Sequence, residues 1–259
     1  MFSTKSNEPR RIERGPSVRH GAAAIALLVS MLPGTGHAQA IDTNRPGFSF
    51  TPGVVEQGAW QLETGMTYGR FGSGSRAIAL PNAEFRYCVG GGTEVFVSGI
   101  SWIDSEAGNA DASGFGDISL GTKIALGEPD STTRMALLFL VSAPTGKQEL
   151  SSDRWDPSLG LVWSRSGSLP LAGTVKVSDL GNGFQLDNGL KLPFAIDDRR
   201  SAFVEWEANL PENGSSRHWL NSGFQWLLSD DVQIDVSADL GLNDVGDDYR
   251  FGIGFSMRL

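Results

Sequence analysis

Cysteine and histidine are scarce in this 259-residue sequence, which contains one cysteine and three histidines. Cys88 has no partner for an internal disulfide bond and is interpreted as a small residue packed on a strand. His20 and His37 lie near the N-terminus, which leaves His218 as the only histidine after residue 40. A zinc-type site built from cysteine and histidine is therefore excluded, and we expect neither a metal nor a cofactor.

A hydrophobic run long enough for a membrane-spanning helix is also missing. The apolar stretch 21–32 covers about 12 residues, whereas a spanning helix requires roughly 20. Basic residues precede this stretch and Ala38-Gln39-Ala40 follows it, which is the pattern of a cleaved secretory signal peptide. We expect residues 1–40 to be removed during export.

Basic charge is deficient as well, since the chain has 21 Lys and Arg against 30 Asp and Glu. Removal of residues 1–40 leaves 16 basic and 28 acidic residues, so the formal net charge falls from −9 to −12. A chain this acidic is repelled by a phosphate backbone. We expect no nucleic-acid partner.

Helical periodicity of useful length is missing after residue 40, and a two-residue alternation takes its place. In YRFGIGFSMRL (249–259) every odd position is apolar and every even position is small or charged. The stretch VQIDVSADLGLN (232–243) repeats this pattern. Alternation of this kind indicates β-strands with one apolar face. We predict about 12 strands, an even number that suits a closed up-and-down barrel, near residues 58–70, 77–89, 93–104, 115–126, 133–144, 157–166, 168–179, 183–196, 201–211, 217–228, 231–243 and 249–259.

The alternation alone does not tell whether the apolar face packs in a protein core or contacts lipid. Strand length favours lipid, because soluble strands run about five or six residues and these run about eleven. With about 3.3 Å per residue and a tilt near 40°, eleven residues cover about 28 Å, enough for a membrane barrel. The connections agree, since short inner turns alternate with longer outer loops such as 104–114 and 145–156. The sequence predicts an all-β, closed antiparallel transmembrane barrel over residues 58–259.

Charged residues on the polar faces would then project into the barrel lumen. They either pair across the lumen and fill it or line a selective pore. About 12 strands lie between the filled interior of small barrels and the open channel of large ones, so a narrow or plugged pore is expected. The candidate lumen-lining residues are Glu63, Glu84, Arg86, Asp117, Lys123, Lys176, Lys191, Glu205, Glu207, Asp235, Asp239 and Arg250.

The segment 41–57 precedes the first predicted strand and contains two Pro-Gly pairs, at Pro46-Gly47 and Pro52-Gly53. It is either a periplasmic lead or a small plug inside the lumen. The sequence does not choose between these interpretations.

Catalytic and metal-binding alternatives are weak. Ser216 and His218 stand two residues apart, as a lipid hydrolase could use them, but no third group is forced into contact with them. The acidic loop residues near 104–111 and 244–248 lack the spacing of a calcium site and are interpreted as solvated loop charge. We expect no enzyme.

Several stretches resemble a known family of bacterial outer-membrane barrels, the group named for a MetA pathway of phenol degradation. The resemblance is carried by DTNRPGFSFTPGVVEQGAWQLETGMTY (42–68), GFGDISLGTKIAL (114–126), LVSAPTGKQELSSDRWDPSLGLVWS (140–164) and LGLNDVGDDYRFGIGFSMRL (240–259). It implies transport of small aromatic or hydrophobic compounds. The last strand also resembles the signal that barrel-assembly machinery reads, although Leu259 replaces the usual terminal aromatic residue.

The sequence therefore predicts a channel of the bacterial outer membrane for passive uptake or efflux of small molecules. Two alternatives remain: a non-conducting structural or interaction barrel that binds through its outer loops and, less favoured, a lipid hydrolase. The expected partners are outer-membrane lipid and lipopolysaccharide, the assembly machinery and a small-molecule substrate.

Overall fold

The computed structural model describes residues 40–107, 111–245 and 247–259. The signal-peptide prediction falls almost entirely on residues outside these ranges. The described residues contain the strands β1 (Trp60–Phe71), β2 (Arg76–Gly90), β3 (Thr93–Glu106), β4 (Ala112–Phe115), β5 (Ile118–Leu126), β6 (Thr133–Ala143), β7 (Asp156–Arg165), β8 (Leu171–Asp179), β9 (Phe184–Ala195), β10 (Arg200–Pro211), β11 (Arg217–Ser229), β12 (Val232–Gly241) and β13 (Asp247–Arg258), with 3₁₀ turns at Gly72–Gly74 and Gln148–Leu150.

The strands form one closed antiparallel sheet. Apart from β4 and β5, which both pair with β3, each strand pairs with its neighbours in the chain, and β1 also pairs with β13 over most of its length, from Gln61–Arg258 to Phe71–Asp247. β4 and β5 both pair with β3 in one continuous register, so they are two halves of a single crossing strand. The described chain thus forms a barrel of 12 crossing strands that the pairing of β1 with β13 closes, with β4 paired on one side, and the predicted fold is confirmed.

The connections divide into two kinds at the two ends of the barrel. One end carries the short turns 91–92, 127–132, 166–170, 196–199 and 230–231, and the other carries the connections that include 107–111 and 144–155. We call these the turn end and the loop end. Gly91 and Gly92 both have positive φ, at 60° and 68°, as a two-residue type I′ hairpin turn requires. Within the described residues, no helix has the length and apolar character needed to cross a membrane.

The outward face of the barrel is apolar. In β12 and β13, Val236, Leu240, Phe251 and Ile253 are each about half exposed, although large apolar surfaces are rare on soluble monomers. Aromatic side chains lie towards both ends of this surface: Trp60 contacts Tyr87 at the turn end, and other aromatic pairs lie at the loop end. An apolar belt between aromatic girdles is typical of a membrane barrel.

The inward face encloses a small apolar cluster and many charged side chains. Phe96, Ala136, Leu138 and Val162 are buried together inside the barrel, with Phe50 of the segment 41–57 packed against them. This cluster explains the stretch MALLFLV (135–141), which is apolar on both faces. One face of β6 contacts the inner segment while the other faces outward.

Candidate functional site in the barrel lumen

The candidate site is the lumen, where alternation along each strand places every second side chain. Seven of the predicted lining residues are buried in the structure: Glu63, Arg86, Lys123, Glu205, Glu207, Asp235 and Asp239. Glu84, Lys176, Lys191 and Arg250 are intermediate in exposure and make lumenal ion pairs. The structure thus brings eleven of the twelve candidates to one enclosed space.

Asp117 lies elsewhere, in the break between β4 and β5 near the loop end. Its carboxylate accepts hydrogen bonds from the backbone N–H groups of Gly146 and Ser152, at 2.9 Å each. Asp117 therefore holds the loop between β6 and β7.

The largest charge cluster surrounds Arg86 on β2. Its guanidinium binds Glu94 through two parallel hydrogen bonds of 2.9 Å and Glu63 through a third of 2.6 Å. Lys123 lies 3.4 Å from Glu94, and Glu84 lies 3.9 Å from Arg86. Arg86, Lys123 and Glu94 are completely buried, so the cluster depends on this mutual pairing because an isolated charge there would be strongly destabilising.

Further ion pairs join neighbouring strands on the opposite wall of the lumen. Lys191 lies 3.8 Å from Glu205 and sits over the ring of Phe203, and Lys176 lies 3.2 Å from Asp187. These contacts join side chains of β8, β9 and β10. They fill this side of the lumen with paired rather than free charge.

A third set lies closer to the loop end. Arg250 binds Glu207 at 2.9 Å and Asp239 at 3.2 Å, and its guanidinium stacks over the ring of Trp219. These residues come from β10, β11, β12 and β13. Trp219 is only 3% exposed, so it belongs to the lumen and not to the outer aromatic girdle.

The segment 41–57 runs through the middle of these charges. Its backbone N–H groups donate to lumenal carboxylates: Asn44 and Arg45 to Glu63, and Phe48 and Ser49 to Glu205, at 2.8–3.1 Å. The N–H of Val55 donates to Glu94 at 2.8 Å.

Side chains add to this attachment. The guanidinium of Arg45 lies 3.4 Å from Asp235 and also donates to the carbonyl of Ile253, and Asn44 donates to Glu84 at 2.6 Å. The ring of Phe50 packs 6.1 Å from that of Phe96. The segment therefore contacts the inner wall on both sides through polar and apolar contacts.

A cavity of about 270 Å³ remains beside the segment. It is lined by Arg45 to Phe48 of the segment, by Thr67 and Asn82 of β1 and β2, and by Glu207, Asn221, Ser237, Asp239 and Arg250. Asn221 is 4% exposed, and its Oδ1 atom has no hydrogen-bond partner among the described residues. A small molecule here would meet one aromatic ring, several hydrogen-bonding groups and one triad of paired charges.

The other candidate groups show no catalytic or metal-binding arrangement in the part of the chain that the structure describes. His218 lies at the loop end of β11 with its ring stacked on that of Trp206, at 5.8 Å. Within the described residues, no hydrogen bond joins it to Ser216, and no group of three or more His, Cys, Asp or Glu side chains could hold a metal ion. Cys88 is buried in β2, where a single parallel bridge pairs it with Gln57.

Sequence reasoning missed Glu94, the central acceptor of the Arg86 cluster. It lies in 93–104, where the alternation changes face at Gly99, whose positive φ of 76° marks an irregularity in β3. If the alternation is followed separately before and after Gly99, it places both Glu94 and Phe96 in the lumen.

Comparison with known proteins agrees with this architecture. The COG4313 outer membrane channel from Pseudomonas putida F1 superposes with a TM-score of 0.61 at 12% identity, covering 83% of this chain and all of that one. The NanC porin superposes with a TM-score of 0.52 at 10% identity, covering 77% of this chain and 100% of that one. A search of curated proteins gave no match.

These likenesses support the fold of an outer-membrane barrel and involve channels rather than enzymes. A profile of one family matches residues 43–259, which is nearly everything after the predicted signal peptide. That match confirms the resemblance inferred from the sequence. The chain has the fold of outer-membrane β-barrels and belongs to the family described as "Putative MetA-pathway of phenol degradation".

Proposed function

We propose that this protein is an outer-membrane channel that passes small aromatic or hydrophobic compounds, with residues 41–57 restricting its lumen. The observation that carries the proposal is the cavity of about 270 Å³ that remains between the inner segment and the wall of a closed barrel. The family description and the likeness to an outer membrane channel support it.

The charges of the lumen divide into two groups under this proposal. Glu63, Glu94 and Glu205 accept hydrogen bonds from the inner segment, so they position that segment. Glu207, Asp239 and Arg250 border the cavity together with Arg45 of the inner segment, and these are the charges that a passing solute would meet. Because Arg250 pairs with both carboxylates, the lining favours neither anions nor cations strongly.

Small uncharged compounds fit this lining best. A cavity of about 270 Å³ lies just below the range of pockets for drug-sized ligands. Phe48 and Asn221 are both among the residues that line the cavity, so a bound solute would lie beside an apolar and a polar side chain.

A non-conducting barrel is the second candidate function. It is favoured by the number of contacts that attach the segment 41–57 to opposite walls of the lumen. In that case the loops between β3 and β4 and between β6 and β7 would bind a partner. We do not propose catalysis, because His218 stacks on Trp206 outside the lumen and, among the described residues, shares no hydrogen bond with Ser216.

The proposed biological partners follow from the barrel surface. Outer-membrane lipid and lipopolysaccharide would contact the apolar belt and the loop end. The assembly machinery would act on β13, whose pairing with β1 closes the barrel.

Planar-bilayer conductance and liposome swelling with purified protein test the channel. The wild type is expected to give a small conductance and to admit small uncharged solutes. The double variant Arg45→Ala, Phe50→Ala removes a segment ion pair and the ring that packs on Phe96, so it is expected to conduct more.

The control for this experiment is Arg199→Ala, which removes an exposed ion pair with Asp230 between two turns at the turn end. It is expected to conduct like the wild type. If neither the wild type nor the loosened variant conducts or swells liposomes, the channel is excluded and the non-conducting barrel is left.

A further inference from the structure

The pairing between β1 and β2 is interrupted at mid-height of the barrel. The two strands pair at Glu63–Glu84 and again at Thr67–Ala79, with a register shift between these positions. Residues 64–66 have no register partner in β2, and residues 80–83 have none in β1. On its other side, β1 stays fully paired with β13 through this stretch. We call the unpaired stretch the β1–β2 seam.

The pairing between β2 and β3 is sparse at the same place. Leu80 pairs with Trp102 and Ala83 pairs with Ile100, but neither neighbouring strand offers a register partner to Pro81 or Asn82. Pro81 also lacks a backbone N–H, so it cannot donate to either ladder. By contrast, the ladder between β9 and β10 runs without interruption from Ser201–Ala195 to Pro211–Gln185.

An interrupted ladder is unusual at membrane depth. Backbone groups without partners are tolerated there only where protein covers them or where they line a cavity. Both conditions hold on the inner side of the β1–β2 seam. The guanidinium of Arg45 lies against Gly65, where an added Cβ would come within 2.9 Å of it, and the cavity reaches Thr67 and Asn82 on the two sides of the seam.

The outer side of the seam is apolar. Met66 and Leu80 belong to the unpaired stretch, and their side chains are 38% and 52% exposed on the outward face. A compound leaving the cavity between them would enter a hydrocarbon environment. The transfer favours apolar compounds, at about 25 cal/mol for each Å² of apolar surface removed from water, and disfavours polar ones.

We propose that the β1–β2 seam is a lateral portal, through which a small apolar compound passes between the lumenal cavity and the hydrocarbon of the membrane. This inference rests on the proposed channel function and adds the route by which the compound moves between the lumen and the membrane. The inner segment forms one wall of the cavity, and the seam connects that cavity to lipid. Ions and polar solutes do not use this route.

A reversible disulfide across the seam tests the portal. Met66 and Leu80 lie one residue beyond the partners Thr67 and Ala79, so they would face each other on the outward face if that register continued by one residue into the seam. Met66→Cys and Leu80→Cys are introduced together with Cys88→Ala, which removes the native thiol. The control pair, Leu220→Cys and Leu240→Cys, joins direct register partners of the uninterrupted part of the ladder between β11 and β12.

The measurement is uptake of radiolabelled naphthalene by cells that carry lipopolysaccharide and express each variant, before and after oxidation and again after dithiothreitol. Oxidation of the seam pair is expected to abolish the protein-dependent part of the uptake, and dithiothreitol to restore it. Planar-bilayer conductance of the same protein is expected to stay unchanged. The control pair is expected to change neither quantity.

The outcomes separate the portal from the channel. Absence of protein-dependent uptake in the wild type, together with absence of conductance, overturns the proposed function. Uptake that persists after the seam bond has formed, or that falls equally with the control bond, overturns the portal alone. If the seam bond does not form, Asn82→Trp decides, because an indole there would occupy the cavity beside the seam. Loss of naphthalene uptake with unchanged conductance supports the portal, whereas unchanged uptake, or an equal loss of uptake and conductance, contradicts it.

Discussion

Asp235 and Val236 are neighbours in β12, yet their side chains lie on opposite faces of the barrel wall and differ in polarity and exposure. Asp235 is 2% exposed and lies 3.4 Å from Arg45 of the inner segment, whereas Val236 is 48% exposed on the outer surface. The same contrast holds between the inner and outer faces of the whole wall. The inner face is charged and covered by protein, and the outer face is apolar and has no protein cover among the described residues.

The difference shows that one alternating pattern supplies two faces that need different surroundings: the inner face needs charged and polar partners, and the outer face needs hydrocarbon. Inward carboxylates are satisfied by arginine, lysine and backbone N–H groups of residues 41–57. Outward aliphatic side chains are satisfied only if hydrocarbon surrounds them. Substitutions on the two faces should therefore be destabilising for opposite reasons. On the inner face the loss of a charge is expected to lower the stability, and on the outer face the addition of a charge is.

The largest expected effect is that of Arg86→Ala on the inner face. The substitution leaves Glu63 and Glu94 buried without their guanidinium partner, which is expected to lower the free energy of unfolding by about 3–5 kcal/mol. Urea unfolding of protein folded into lipid vesicles measures it. A loss below about 1 kcal/mol would mean that water reaches these carboxylates.

Val236→Arg is expected to have the next largest effect, on the outer face. Val236 is central in β12, and arginine at the midplane of a membrane barrel destabilises it by about 2–4 kcal/mol. The matched variant is Leu242→Arg, one residue past the end of β12, where about 0–1 kcal/mol is expected. If both variants lost the same free energy of unfolding in the urea titration, Val236 would not lie at the midplane of the membrane.

Gly121→Val is expected to be intermediate and acts through packing rather than charge. A Cβ at Gly121 would come within 2.7 Å of three ring atoms of Phe96 inside the barrel. Overpacking of this kind is destabilising by about 1–3 kcal/mol. The control is Leu120→Val at the neighbouring exposed position, which should unfold almost like the wild type. If both variants lost a similar free energy of unfolding, the ring of Phe96 would be able to move away from residue 121.

The smallest effect is expected for Arg76→Ala, on the same strand as Arg86. Arg76 pairs with Glu106 at the loop end, where both side chains are about half exposed. Exposed pairs contribute below about 1 kcal/mol, so the urea midpoint should shift little. A loss comparable to that of Arg86→Ala would contradict the contrast between buried and exposed charge.

Much of this fold is predictable from local sequence. The alternation in 232–243 and 249–259 predicts β12 and β13 within a few residues, and it identifies Asp235 and Asp239 as inward. The period of two carries this information because each strand has one face in lipid. Prediction works less well in β3 and around β4 and β5, where Gly99 and Asp117 interrupt the period.

The path of residues 41–57 was not predictable, because it depends on contacts with distant strands. Arg45 reaches Asp235, and Phe48 reaches Glu205, across most of the chain length. The segment has no period of its own that would place it. For the same reason the sequence does not separate the charges that hold the segment from those that border the cavity.

Lipid quenching of a fluorescent probe tests the orientation of the wall most directly. Val236→Cys and Ser237→Cys are each prepared with Cys88→Ala, labelled with bimane and reconstituted in vesicles whose acyl chains are brominated. The probe at 236 is predicted to be strongly quenched and the probe at 237, which borders the lumenal cavity, to be quenched little. Strong quenching at 237 with none at 236 would contradict the assignment of the apolar face to lipid.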